Sequence, residues 1–420
     1  MSEFTPQSPA LKALQERGFI DAMTDAKAID DAFAAGMVTF YVGYDPTASS
    51  LHAGSLTCIM VQRLLQRLGH KPVVLLGGGT ARVGDPTGRT ESRKMLDDAT
   101  LSNNVAGIRR NFDGYLHFER GKDNDAVLVD NADWLCGLHY LQFLREIGSQ
   151  FTVNRMISAK TYRDRLDNEQ PLSFLEFNYQ LLQAYDFLHL YREQGCTMQL
   201  GGSDQWGNMV AGTELIRRVV EGPSSAQALT WPLLLTADGR KMGKSADGAV
   251  WLDPAQCPPF DYYQYWLNCH DNDVRNHLLK YTDVAVDEIE TLCKAEGSAL
   301  REVKARLAKE ATTLAHGEES AEAAAKASKQ AFGGGDDWSA VPAVELGVEQ
   351  IALLDLVVDP RIAAFKSKRE ARARIEAGAV KLDGVPVKDL SLQLEAAGFE
   401  NGTVRLQAGK KKRFRVVLGA

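Results

Sequence analysis

The sequence predicts an α/β protein in which a helix-covered parallel sheet is followed by a helical domain and a small α+β domain. Three observations predict it. Between residues 38 and 236, short β-rich apolar runs alternate with helical stretches, the rhythm of βαβ units and hence of a parallel sheet with helices on both faces. Between 258 and 332, strand runs vanish while Leu, Ala, Lys and Glu persist at helical spacing. From 349 to 420, a short basic helix pattern precedes a hairpin signal.

VTFYV (38–42) reads as the first strand and Gly54–Leu68 as the helix after it. PVVLLGG (72–78) is the second strand, a helical pattern continues through Phe118, and AVLVD (126–130) is the third. The segment 173–190 and the stretch 205–221 read as helices. The boundaries expected are 1–236 for the sheet domain, 237–257 for a glycine-flanked lysine loop, 258–332 for the helical domain, 333–348 for a linker and 349–420 for the last domain. GGGDDWSAVPAVELG (333–347) has the Gly, Pro and acidic content of a linker. Beyond it, Ser367 is placed as the cap of KREARARIEAG and Gly378 as its stop. AVKLDGVPV (379–387) is a hairpin, because Asp-Gly between apolar residues is a favoured two-residue turn.

The 420 residues exceed the roughly 250–300 at which single cores stop growing. No apolar run approaches the roughly 20 residues of a membrane span, and the first residues lack the basic-then-apolar pattern of a secretory leader. Cys58, Cys136, Cys196, Cys257, Cys269 and Cys293 are scattered, without a CxxC pair. That disfavours a zinc ribbon or a disulfide framework and suits a reducing cytoplasm. Net charge is −7, yet residues 351–420 carry 14 Lys+Arg against 8 Asp+Glu. A basic end on an acidic body fits one module that meets phosphates, and equally a solvated charged surface.

Neither GxGxxG nor GxxxxGK[ST] is present; Asp85 and Pro86 in GGGTARVGDPTG (77–88) stand where a P-loop needs Lys and Ser/Thr. Two other segments can serve a nucleotide. YDPTASSLHAGS (44–55) runs from strand to helix, with Pro46 and Thr47 in a turn and His52 and Gly54 at the helix start. Free N–H groups there attract anions, and Gly54 lets a ribose or base approach the backbone. ADGRKMGKSADG (237–248) sets Lys241 and Lys244 three apart on a loop, which suits charge building on transferring phosphates. On 173–190, Tyr179, Gln183 and Asp186 fall at i, i+4 and i+7, a single helix face poor as core and good as the floor of a polar ligand site.

HAGS (52–55) and KMGKS (241–245), in this order on such a sheet, resemble the HIGH and KMSKS signatures of class I aminoacyl-tRNA synthetases. Ser55 stands where the second signature histidine is expected. YVGYDPT (41–47), NYQLLQAYD (178–186) and QLGGSDQWGN (199–208) are similar to the tyrosyl-tRNA synthetase family, over roughly residues 35–330. The resemblance implies a Rossmann-like catalytic domain, an anticodon-binding helical domain and a terminal RNA-binding domain of the S-four type. It implies Tyr41 and Asp186 on the substrate hydroxyl, with Tyr179, Gln183 and Asp85 on the α-ammonium group. Asn131 and Gln205 complete the pocket.

For catalysis, Thr47 and His52 are assigned to the γ-phosphate side, and Lys241 and Lys244 to the developing pyrophosphate charge. Asp45 and Gly54 are assigned to the ribose and adenylate region, and Arg93 is placed over the phosphates. ATP enters as substrate with Mg²⁺ bridging its phosphates, so no protein-bound structural metal is expected. Arg361, Lys366, Lys368, Arg369, Arg372 and Arg374 form a basic helix surface for tRNA(Tyr), and KKKRFRV (410–416) adds basic residues around Phe414. A homodimer is carried over from the family. A tryptophan-specific relative, a free nucleotidyltransferase, or a non-catalytic RNA-binding protein on the same scaffold are the rival readings.

Overall fold

The structure, a computed structural model, describes residues 4–87, 96–233, 242, 244–245, 248–297, 299–332, 338, 341, 343–409 and 412–419. Contacts divide the chain into two compact units, Met1–Glu318 and Glu319–Ala420.

In the first unit, strands β1 (Ala22–Met23), β2 (Thr39–Tyr44), β3 (Lys71–Leu76), β4 (Val127–Asp130), β5 (Met198–Gly202) and β6 (Gln227–Trp231) form one sheet of order β1-β6-β5-β2-β3-β4. All neighbours run parallel except the β1–β6 pair at the edge. Every residue of β3 but the first is buried, as a strand covered on both faces requires. The chain passes outward through β2, β3 and β4, then returns to the far side of β2 for β5 and β6. The strand order therefore reverses between β2 and β5, where Tyr41 faces Gln199 in register. A crevice opens beyond the carboxyl ends at such a reversal.

Helix α1 (Leu56–Arg67) follows β2 through a 3₁₀ turn, Ala53–Ser55. The helix expected over 173–190 is two helices: a single turn, Phe174–Phe177, and α2 (Tyr179–Gln194). Ser173 and Glu176 close the single turn as a capping box. Asn178 separates the two, its side-chain amide donating to the Phe174 carbonyl at 2.6 Å; an asparagine offers the backbone such local alternatives to helix. Gly195, in the left-handed region at φ 61°, ends α2. Helix α3 (Trp206–Val219) starts at Gln205. Leu181, Ala184, Phe187 and Leu188 of α2 share a core with Leu215 and Ile216 of α3 and with Tyr41, Val73 and Leu75 of the sheet.

Helices α4 (Pro259–Leu267), α5 (Val274–Tyr281), α6 (Val286–Leu292) and α7 (Ala299–His316) lie in the same compact unit as the sheet. The Tyr281 hydroxyl meets Thr57 Oγ1 of α1 at 3.1 Å, and Arg63 of α1 pairs with Asp283 at 2.6 Å. Contacts thus divide the chain at 318/319, whereas the sequence reading drew its lines at 257/258 and 332/333.

In the second unit, strands β7 (Ala343–Glu345), β8 (Val380–Leu382), β9 (Val385–Val387), β10 (Thr403–Ala408) and β11 (Lys412–Val417) form a sheet of order β9-β8-β10-β11-β7. Residues 343–345, read above as linker, are the edge strand β7, paired with β11. The three residues Ala-Val-Glu gave little strand signal of their own; pairing supplies it. The hairpin turn is as expected, with Asp383 and Gly384 both at positive φ, 45° and 85°. Helix α8 (Lys368–Glu376) is capped by Ser367, whose hydroxyl accepts from the Glu370 N–H. Its Ala371 and Ile375 reach a core of Leu353, Leu356, Val380, Val404 and Val416. No helix among the described residues is long and apolar enough to cross a membrane.

Candidate active site

A cavity of about 450 Å³ occupies the crevice at the β2/β5 reversal, within the roughly 300–1,000 Å³ usual for small-ligand sites. Its walls come from the carboxyl ends of the parallel strands: Tyr41 of β2 and Asp45 just after it, Gly77 and Thr80 after β3, Asn131 after β4, Gly201 of β5 and Gln205 after it, and Trp231 of β6. Helix α2 adds Tyr179, Gln183 and Asp186 from the single face their spacing predicts, and the start of α1 adds His52, Gly54 and Ser55.

Part of the cavity wall is organised around a buried carboxyl group. Asp186, 2% exposed, receives Asn131 Nδ2 at 2.9 Å on one oxygen and Trp134 Nε1 at 2.8 Å on the other. Burial drives its pKa up to about 8, opposed by these two donors and assisted by the nearby Asp45 and Asp130. The Tyr41 hydroxyl is buried with no hydrogen-bond partner among the described residues, and so is Gln199 Oε1. Burial, then the Asp186 charge, holds the Tyr41 phenol well above its ordinary pKa, so it stays a donor. Polar groups buried without partners on a cavity wall are unspent recognition capacity.

A second network on the wall centres on Asp45, Thr80 and Asn131. Asp45 accepts from Thr80 Oγ1 at 2.8 Å and from the Tyr179 hydroxyl at 3.0 Å. Asn131 donates to Thr80 Oγ1 at 3.0 Å and accepts from the Gly79 N–H at 2.7 Å. Asp85 accepts from Gln205 Nε2 at 2.9 Å and from the Thr87 N–H at 2.9 Å. A side chain at Gly77 would collide with the Asp45 carboxylate and the Thr80 hydroxyl. Asp45, Asp85, Asp186 and Asp204 all line the cavity, a setting that favours a cationic group.

On the α1 side of the cavity, His52 Nδ1 accepts from the Gly54 N–H at 3.0 Å and opens the turn into α1. His52 also bridges to Trp251 through the backbone, with the rings 6.0 Å apart edge to face. A Cβ at Gly54 would lie 2.6 Å from the Met242 carbonyl oxygen and 2.6 Å from His52 Cε1. The glycine of the first motif is thus what admits the second motif's backbone. Ser55 precedes α1 without a side-chain capping bond and faces the cavity.

The cavity brings together Tyr41, Asp45, Thr47, His52, Gly54, Asp85, Asn131, Tyr179, Gln183, Asp186 and Gln205. Arg93 and Lys241 lie outside the described residues, as does the Lys244 side chain; the Lys244 backbone sits in a two-residue strand paired with Gly248–Ala249. Sequence reasoning missed Thr80, Trp134, Gln199 and Asp204. Thr80 and Asp204 stood within the quoted GGGTAR and SDQWG runs, and Gln199 opened QLGG; Trp134 had no local signal. In the second unit, Lys366, Lys368, Arg369, Arg372 and Arg374 are exposed. Arg361 is committed to Asp359 at 2.9 Å and to the Leu346 carbonyl at 3.0 Å. Arg405 and Arg413 lie 5.9 and 5.1 Å from the Trp338 ring, and Phe414 packs against the core.

Two family models match the chain: tRNA synthetases class I (W and Y) over residues 34–333, and the tyrosine--tRNA ligase SYY-like C-terminal domain over 336–416. It is 49% identical to a tyrosine--tRNA ligase of Zymomonas mobilis, over 98% of each chain. It is 44% identical to a tyrosine--tRNA ligase of Clostridium perfringens, over 97% of this chain and 99% of that one. Among solved structures, a C-terminally truncated mitochondrial tyrosyl-tRNA synthetase of Aspergillus nidulans superimposes with a TM-score of 0.70 at 28% identity. That match covers 78% of this chain and 95% of the other.

Proposed function

The chain belongs to the tyrosine–tRNA ligases, a branch of the class I tRNA synthetases, and we propose that the cavity at the β2/β5 reversal is where it activates tyrosine. It is an aminoacyl-tRNA synthetase that uses ATP to join tyrosine to tRNA(Tyr). In the first step a tyrosine carboxylate oxygen attacks the α-phosphorus of ATP. A new P–O bond forms, the bond to the β-phosphate oxygen breaks, and pyrophosphate leaves. In the second step a ribose hydroxyl of the terminal adenosine takes the tyrosyl group and AMP departs.

The substrate brings its own nucleophile, so the protein's work is positioning and charge stabilisation. Tyr41 donates to the phenolic oxygen while Asp186 pairs with the same hydroxyl; the burial of both side chains on the cavity wall supports this reading. Asp85, Tyr179 and Gln183 hold the α-ammonium group, with Asn131 and Gln205 closing the pocket. Asp45 and Gly54 take the ribose and adenylate region, Thr47 and His52 the phosphates on the α1 side. Lys241, Lys244 and Arg93 are assigned to the phosphate charge on sequence grounds. Magnesium would accompany ATP and offset part of its phosphate charge, held more by the nucleotide and water than by side chains of this chain. That the Tyr41–Asp186 pair and the His52–Gly54 turn line one cavity carries this reading.

Arg369, Arg372 and their neighbours on α8 are assigned to the tRNA backbone, where cationic contacts give affinity without base choice. We place the chain in the cytoplasm, in keeping with six cysteines that form no disulfide, and as a homodimer. Tyr140, Leu141, Val153, Leu166, Phe174 and Leu175 are exposed large apolar residues within 36 positions, the kind of surface that pairs. His52→Ala tests the assignment of ends: adenylate formation slows by about two orders of magnitude, the size of one transition-state donor, while tyrosine affinity stays within twofold. Equal loss in both would make His52 a structural residue.

A further inference from the structure

Asp186 owes its orientation to a donor that is itself held from outside the cavity. Trp134 sits in the single turn Ala132–Leu135 directly after β4. Its indole N–H reaches Asp186 Oδ1 at 2.8 Å, while the ring lies stacked on the His189 imidazole, centroids 4.2 Å apart and planes 19° from parallel. His189 follows Asp186 by three residues on α2, so one helix face presents both the carboxylate and the plate that backs its donor. Tyr185 flanks the imidazole at 6.4 Å and is itself met edge-on by Phe143 at 5.6 Å. His189 is not part of the cavity wall.

We propose that His189 is a positioning residue for amino-acid specificity, acting through Trp134 on Asp186; this rests on the reading of Asp186 as a phenol partner. An indole is a flat plate on two torsions, and hydrogen bonds weaken steeply as the donor angle falls. The stack fixes the plate, the indole N–H then holds Oδ1 while Asn131 holds Oδ2, and the acceptor directions left over on the carboxylate are those a ligand hydroxyl can use. Loss of the stack lets the indole swing and the carboxylate turn. Only a hydroxylated ligand uses that carboxylate, so the damage falls on tyrosine and spares phenylalanine.

The test is tyrosine- and phenylalanine-dependent pyrophosphate exchange by the full chain, with phenylalanine measured at high enzyme concentration. His189→Ala lowers kcat/KM for tyrosine about two- to tenfold, the worth of one aromatic pair, and leaves the phenylalanine value and the KM for ATP within twofold. His189→Phe, which keeps a flat ring, restores the tyrosine value. In a Trp134→Phe background, which lacks the N–H, His189→Ala changes the tyrosine-to-phenylalanine ratio no further. Parallel loss with both amino acids, a defect in His189→Phe equal to that in His189→Ala, or a full effect in the Trp134→Phe background would each overturn the proposal. Failure of the parent chain to prefer tyrosine would instead overturn the Asp186 assignment beneath it.

Discussion

Replacing Tyr41 by phenylalanine separates recognition from stability, because the two should move in opposite directions. The hydroxyl is buried, its residue 1% exposed, and no described residue hydrogen-bonds it. In the unliganded fold it therefore costs about 1 kcal/mol or more of uncompensated desolvation. The ring itself is tilted against Phe187 at 5.4 Å, and Tyr41→Phe leaves that contact in place. Removing the oxygen should stabilise the chain by about 1 kcal/mol, a rise in Tm of about 2 °C for a unit of this size. Tyrosine, however, loses a donor, which weakens its binding by about 1 kcal/mol, or roughly fivefold. Phenylalanine never used the hydroxyl, so its affinity should hold or improve, and the tyrosine-to-phenylalanine ratio should fall. Denaturant melts and equilibrium titration of both amino acids measure the two effects on one preparation. A destabilised Y41F chain would mean the hydroxyl has a partner in the fold, and an unchanged ratio would mean it does not face the phenol.

Asp186 links the site to pH: its carboxyl titrates at about 8 in the fold against 3.8 in the free chain, chiefly through burial. The folded value is the raised one, so the stability it supports is complete below about pH 4 and drains away as pH climbs through 8. Asp186→Asn removes that titration, so the stability gap in favour of the variant should widen from pH 4 to 8 and then level off; parallel melting curves across that range would refute the burial argument. On α8, reversing two exposed charges, Arg369→Glu with Arg372→Glu, should raise KM for tRNA at least tenfold. The salt dependence of tRNA binding should become shallower by about two units, with pyrophosphate exchange within twofold of the parent. An unchanged tRNA KM would move the RNA surface elsewhere.

Much of this site is readable before folding because its residues announce themselves locally. Tyr179, Gln183 and Asp186 share a face by helical period alone, and the structure puts that face on the cavity. The Asp383-Gly384 turn and the Ser367 cap follow from backbone preferences that need no tertiary partner. Residues whose role depends on a distant neighbour could not be read this way. Trp134 and His189 are 55 positions apart, and neither carries a motif. The strand at 343–345 was missed for the same reason, its partner strand lying 72 positions later, whereas the break at Asn178 is a local bond back to Phe174 that helical spacing alone does not reveal.

Short-range chemistry in the sequence determined the element types, the two signature segments and the shared helix face of Tyr179, Gln183 and Asp186, because periodicity and turn preferences act over a few residues. Only the tertiary structure decided that the two segments meet: strand order reverses between β2 and β5, and the missing Cβ of Gly54 lets the Met242 carbonyl close on the first motif. It alone decided that burial raises the Asp186 carboxyl well above the usual carboxylate range and that the Tyr41 hydroxyl has no partner among the described residues. Those properties belong to burial and to neighbours assembled from separate strands, and burial is not a quantity that any single stretch of chain possesses.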